Sequence, residues 1–297
     1  DALSLVLSGS VADFQPLIDA LPAAAGIDAS GAIDIRVRAS GPFDKPDVRA
    51  DVSLADGTFE VEAIPSVREI ALQATYADGV LGLTRAHAAW QGATLDVSGT
   101  LPLAVLGDLV PESYRQSLPP TPGPARAAVT ITSVTPLVLA PFLDAATVSQ
   151  IVGRFDVTAS VEADGPTVGQ VRADVTLDRA ELELSRVPLQ QARPTRLRLA
   201  DGRLDVVEWT WTGPGSHLAV LGGAALGEGT PTLDLNVTAD LDLRMVSAFL
   251  PDVATSGRLR LDLEASGTAT DPSIEGDVSI AGAGIIVRDP RVGITDL

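Results

Sequence analysis

Apolar and polar residues alternate along much of the chain, as in Ile33-Asp34-Ile35-Arg36-Val37-Arg38 and Leu259-Arg260-Leu261-Asp262-Leu263-Glu264. Period-two alternation is the signature of a strand with one dry and one wet face. The run Val48, Ala50, Val52, Leu54 then changes parity to Phe59 and Val61. A two-residue hairpin loop at Asp56-Gly57 accounts for that change, because Asp-Gly favours the positive φ values of a type I′ turn. The spacing therefore predicts Leu54 opposite Phe59 and Val52 opposite Val61. The same arithmetic predicts Leu177 opposite Leu182 and Val175 opposite Leu184, then Ile280 opposite Ile285 and Val278 opposite Val287. Further hairpins are predicted at Asp78-Gly79, pairing Tyr76 with Leu81 and Ala74 with Leu83, and at Asp201-Gly202, pairing Leu199 with Leu204 and Leu197 with Val206.

These stretches recur. "GPFDKPDVRADVSL" from Gly41 returns as "GTATDPSIEGDVSI" from Gly267, and a shorter version, "GPTVGQVRADVTL", starts at Gly165. Pro65–Gly99 aligns with Pro188–Gly222 without a gap, which sets Leu95 and Val97 against Leu218 and Val220. Between the alternating runs lie "VADFQPLIDALP", "TPLVLAPFLDAATV" and "DLRMVSAFLPDV", with apolar residues three and four apart, and these predict short amphipathic helices. Each leads to a glycine, Gly31, Gly153 or Gly257, and another alternating strand. One unit is then a short helix with about seven antiparallel strands. Three units follow, 1–124, 125–230 and a truncated 231–297. The chain opens inside a strand pattern and stops on "VGITDL", where earlier copies continue, so it reads as an internal piece of a longer protein.

Composition narrows what the sheet can do. Aliphatics dominate a 45% hydrophobic content with 4% aromatics, so the interior is Ala, Val, Leu and Ile. A net charge of -18 repels phosphate backbones, which removes nucleic acid as a partner. Without cysteine there is no disulfide framework, thiolate metal site or Cys nucleophile. No window reaches the roughly twenty apolar residues of a membrane-spanning helix. The dry face still requires cover, since each large aliphatic left in water forgoes about 1.5–3 kcal/mol. A sandwich, a closed barrel, or a curled sheet holding something apolar would each supply it.

Candidate chemistry is sparse. His87 and His217 are the only histidines and occupy different places in the aligned copies, which argues against a triad or a histidine zinc site. Asp240 and Asp242 alternate before a predicted helix without the glycine turn of a calcium loop. Trp209 and Trp211, two apart in a strand, read as packing or rim residues rather than a sugar platform. Asn236-Val237-Thr238 matches a glycosylation acceptor but sits in a strand, and the "GAGI" at Gly282 has no following helix to make a nucleotide loop. No residue set for catalysis, metal or cofactor emerges, and the chain reads as a non-enzyme.

With its helix, glycine, alternating strand, Gly-x-x-x-x-Pro-x-aliphatic step (Gly41 to Val48, Gly267 to Ile274) and paired hairpins ending in "LDVSGTLPL", the chain resembles the TamB and AsmA-like family over its whole length. TamB is the inner-membrane subunit of the translocation and assembly module. The second copy departs from the pattern by lacking the Pro-x-Val step, keeping Pro166 and Gly169. The resemblance implies a mainly β protein, an elongated repetitive antiparallel sheet curled into an apolar groove, with one short amphipathic helix per repeat. It implies the periplasm of a diderm bacterium, anchorage of the whole protein in the inner membrane, phospholipid acyl chains as cargo, and support of outer-membrane protein or autotransporter assembly. The outer-membrane barrel partner would be met by other parts of the protein. The groove would be lined by Val48, Val52, Leu54, Phe59, Val61, Leu95 and Val97, by Val175, Leu177, Leu182, Leu184, Leu218 and Val220, and by Ile274, Val278, Ile280, Ile285 and Val287. The competing expectation is an adhesin-like structural β-sandwich whose dry faces close on one another without lipid.

Overall fold

A computed structural model describes residues 2–12, 15, 27–42, 46–61, 64–109, 123–139, 148–149, 151–227, 229–248, 252–288 and 291–295. The described chain is mainly β and antiparallel, and it divides into two compact units.

The first unit comprises 1–132 and 159–171. It holds β1 (Ala2–Val11), β2 (Ile27–Pro42), β3 (Asp47–Val61), β4 (Ile64–Ala77), β5 (Val80–Trp90), β6 (Ala93–Pro102) and most of β7 (Ala125–Val134). Each strand pairs antiparallel with the next, a meander. The Asp78-Gly79 hairpin is present: both residues have positive φ, 51° and 76°, and Tyr76 faces Leu81 while Ala74 faces Leu83.

The second unit comprises 133–158 and 172–297. It contains the start of β8 (Ile151–Ala163), β9 (Val171–Leu184), β10 (Val187–Gln191), β11 (Thr195–Ala200), β12 (Arg203–Glu208), β13 (Thr210–Gly213), β14 (Ser216–Ala225), β15 (Thr232–Asp242), β16 (Val253–Thr268), β17 (Asp271–Arg288) and β18 (Arg291–Thr295). The Asp201-Gly202 turn repeats the chemistry of the first, with φ of 50° and 71°, and sets Leu199 against Leu204 and Leu197 against Val206. The copies agree down to one hydrogen bond. Leu103 N donates to Gly79 O at 2.9 Å, and Leu226 N donates to Gly202 O at 2.6 Å.

The hairpin expected at Asp56-Gly57 is absent. β3 runs through both residues, and Leu54 lies between Ile33 of β2 and Leu72 of β4 rather than opposite Phe59. The parity change comes from a β-bulge. Leu54 to Gly57 spans three residues while the partners Leu72 to Ile70 span two, and β3 carries the same extra residue relative to β2. Asp56 takes a φ of 53°, so the Asp-Gly pair supplies its left-handed residue to a bulge instead of a turn. A hairpin and a bulge shift parity alike; flanking strands long enough to accompany all of β3 decide for the bulge. In the other two copies the strand likewise runs on where a hairpin is expected. β9 is unbroken, with Leu177 paired to Thr195 and Leu182 to Leu189, so neither the Leu177–Leu182 nor the Val175–Leu184 pair forms. β17 is unbroken and bulges around Gly282 (φ 60°), with Ile280 opposite Leu259, Ile285 opposite Thr255, Val278 opposite Leu261 and Val287 opposite Val253.

Close approach of the neighbouring strand explains the glycine that opens each copy. A Cβ on Gly31 would meet Gly57 Cα at 2.9 Å, one on Gly153 would meet Glu181 O at 2.7 Å, and one on Gly257 would meet Gly282 O at 2.7 Å. In every copy the glycine gives the neighbouring strand room to close in, and in the first and third that strand is bulged there.

The expected amphipathic helices differ from what is described. Pro136–Leu139 and Leu243–Ala248 are 3-10 turns, joined by others at Leu103–Leu109 and Val168–Gln170. Gln15, Val148 and Ser149 are helical, but most of "VADFQPLIDALP" and the later part of "TPLVLAPFLDAATV" lie outside the described residues.

Candidate functional site

Register places the aliphatics on one side of the sheet in each unit, since directly paired residues share a face. In the first unit that face runs from Leu5 and Leu7 through Ile33, Ile35 and Val37 to Val48, Val52 and Leu54. It continues through Leu72, Ala74 and Tyr76, Leu81 and Leu83, then Val97 and Leu95, to Val129 and Ile131. The bulge keeps Phe59 there: Gly57 pairs with Ile70 and Phe59 with Val67 and Ala29. Val61 pairs with Ile27 and Ile64.

In the second unit Val175 pairs with Leu197, Leu182 with Leu189, and Leu184 with Val187. Leu218 lies between Trp211 and Ala239, and Val220 opposite Val237. Ile274, Val278 and Ile280 face Ala265, Leu261 and Leu259. Ile285 and Val287 lie between β16 and β18.

Among the described residues the ion pairs lie on the other face. Arg38–Asp51 at 3.3 Å, Arg198–Asp174 at 2.9 Å, and Asp240 with Arg258 at 2.8 Å and Arg260 at 3.1 Å are half-exposed cross-strand pairs between the aliphatic positions. Hydrogen bonds from Arg258, then from Arg260, hold the Asp240 carboxyl below the usual carboxylate range despite the opposing effect of desolvation. His87 Nδ1 lies 2.9 Å from Asp96 Oδ1 on that face, while His217 is exposed and paired across the ladder with Asp240 and Thr212. Asn236 is exposed there as well. Among the described residues no group of three His, Cys, Asp or Glu is gathered to hold a metal.

The apolar face is covered unevenly. A depression of about 300 Å³ in the first unit is lined by Leu81, Leu83, Val97, Leu101, Ala127 and Val161, with almost no polar surface. In the second unit, by contrast, Ile151, Ala180, Leu184, Val187, Leu189, Trp211 and Met245 pack into a buried cluster, against which Leu177, Leu182, Trp209 and Leu218 rest. Val187 is 2% exposed, whereas Ile274, Val278 and Ile280 are 63%, 59% and 55% exposed. Exposed aliphatics in one row mark a surface that meets something apolar. Among the described residues this row is mostly hydrocarbon, a surface suited to apolar contact.

Sequence reasoning missed the buried cluster. Met245, the single methionine, lies in a stretch whose spacing predicts a helix, and the spacing of Trp211 predicts packing or a rim position; their shared cluster depends on how the Leu243–Ala248 turn returns, which no local pattern encodes. No helix among the described residues is long and apolar enough to cross a membrane. Comparison with family models, with curated proteins and with solved structures finds no match.

Proposed function

We propose that this chain is a section of a periplasmic lipid-transfer conduit, in which phospholipid acyl chains lie on the aliphatic face and the ion-paired face remains in water. One observation carries the reading: among the described residues each unit collects its aliphatics on a face free of ion pairs, and Ile274, Val278 and Ile280 remain more than half exposed. Curling of that face into a groove would shelter the acyl chains and leave the head group at the open edge. Bulges bend and twist the strands that carry them, which favours such curvature. A run of equivalent aliphatic sites lets a lipid move by exchange, with no catalytic residue. In the whole protein, inner-membrane anchorage, delivery towards the outer membrane and support of barrel or autotransporter assembly complete the proposal.

The packed cluster around Val187 and Trp211 favours a second reading, in which the face is closed as a structural β-sandwich without lipid. Mass spectrometry of an organic extract of the purified protein separates the two. The conduit reading expects stoichiometric phospholipid, and a lipid-free extract from protein purified without detergent overturns it.

A further inference from the structure

The buried cluster of the second unit contains an unmade hydrogen bond. Trp211 is 7% exposed, and its indole Nε1 is buried with no hydrogen-bond partner. A buried indole N–H ordinarily finds an acceptor. Its polar cross-strand neighbour, Gln191, is committed elsewhere: Nε2 donates to Leu177 O at 2.8 Å, and Oε1 accepts from Thr195 N and Oγ1 at 3.4 and 3.3 Å. On the other side the neighbour is Leu218, which has nothing to accept with.

The same cluster holds Met245, buried to 7% and carried by the Leu243–Ala248 turn between β15 and β16. That turn is fastened at its two ends by hydroxyls. Ser216 Oγ accepts from Asp242 N at 3.1 Å, Thr255 Oγ1 donates to Leu243 O at 2.5 Å, and Ser247 Oγ accepts from Thr255 N at 3.0 Å. An unbranched, flexible thioether side chain is the protein's nearest equivalent to a stretch of alkyl chain. Here it fills a largely apolar site that also contains an unused donor, its sulfur accepting from the Ser216 hydroxyl at 3.9 Å.

We infer that Met245 occupies the place of a lipid's acyl segment, and that Trp211 Nε1–H donates to the carbonyl oxygen of an acyl ester when the Leu243–Ala248 turn lifts. The inference rests on the lipid reading above and deepens it: the second unit distinguishes an esterified chain from plain hydrocarbon, which an all-aliphatic wall cannot do. Trp211 is a specificity-determining residue in this account, and the turn is the cover of its site.

The intact protein is incubated with vesicles of a diester phosphatidylethanolamine or of its dialkyl-ether counterpart, separated from them, and its bound lipid counted in an organic extract. One neutral hydrogen bond corresponds to about a fivefold preference for the diester. Trp211→Phe keeps the ring and removes the donor, so diester retention falls to the ether level while ether retention is unchanged. Met245→Ala raises retention of both. The Trp211 indole N–H resonance of the wild-type protein provides a reading that no substitution can disturb: it moves downfield with diester lipid and stays in place with ether lipid. Equal retention of the two lipids by the wild type, or a Trp211→Phe protein that keeps the preference, overturns the inference and leaves the conduit standing. Retention of neither lipid overturns both.

Discussion

A Cβ on Gly31 would stand 2.9 Å from the Cα of Gly57, so β2 and β3 approach where one is bulged and the other has no side chain. Gly31 has a φ of 138°, which an L side chain also resists. Gly31→Val should therefore destabilise the protein by about 2 kcal/mol or more, through clash and backbone strain together. Gly257→Val should do the same in the third copy, where the opposing atom is Gly282 O. Gly9→Val is the control, because a Cβ there meets nothing within 4 Å. Urea midpoints of the three variants check this, and equal midpoints count against the bulge as a close contact.

Strand register can be read chemically because the chain has no cysteine of its own. Cysteines at Leu54 and Leu72, which are Cα partners, should close a disulfide on mild oxidation, while cysteines at Leu54 and Phe59 should not. Intramolecular bridging in the second pair alone would restore the hairpin and remove the bulge.

That contrast shows how much of the fold was legible in the sequence. Alternation and Asp-Gly turns yield the strands, and the Tyr76–Leu81 and Leu199–Leu204 registers hold residue for residue. Asp56-Gly57 has the same dipeptide and the same parity shift, yet forms a bulge, because the outcome depends on whether β2 and β4 reach past it. That length is tertiary information. The usable signal is Gly31, which recurs as Gly153 and Gly257 before each of the long unbroken strands and which a simple hairpin does not require. For the site, the shared aliphatic face follows from period two, while the Trp211–Met245 cluster depends on a returning turn.

Uneven cover should make equal insults unequal in effect. Leu189 is 6% exposed inside the buried cluster, so Leu189→Asp places a carboxylate among aliphatics and should unfold the second unit. Val278, at 59% exposure, lets water reach the new carboxylate, and Val278→Asp should shift the thermal midpoint by little. Circular dichroism melts check both, and equal losses would mean that Val278 is covered in solution.

Acid should release the Asp240 pairs. Because Arg258 and Arg260 hold this carboxyl below its ordinary value, its contribution is fully present above an unfolded pKa near 3.8 and is lost as pH falls through the lower folded value. Asp240→Asn should thus be less stable than wild type at pH 7 and approach it at pH 3. Urea midpoints at the two values test the sign, and a gap that widens on acidification contradicts it.

The central claim is that lipid lies on one face of the sheet, and a photo-crosslinking amino acid tests it most directly in cells making the full-length protein. Substituted one at a time, Leu83 and Val97 report from the aliphatic face, while Gln73 and Thr130 report from the other. The account predicts phospholipid adducts at Leu83 and Val97 and none at Gln73 and Thr130. Adducts at all four, or at none while the protein is folded and expressed, would contradict it.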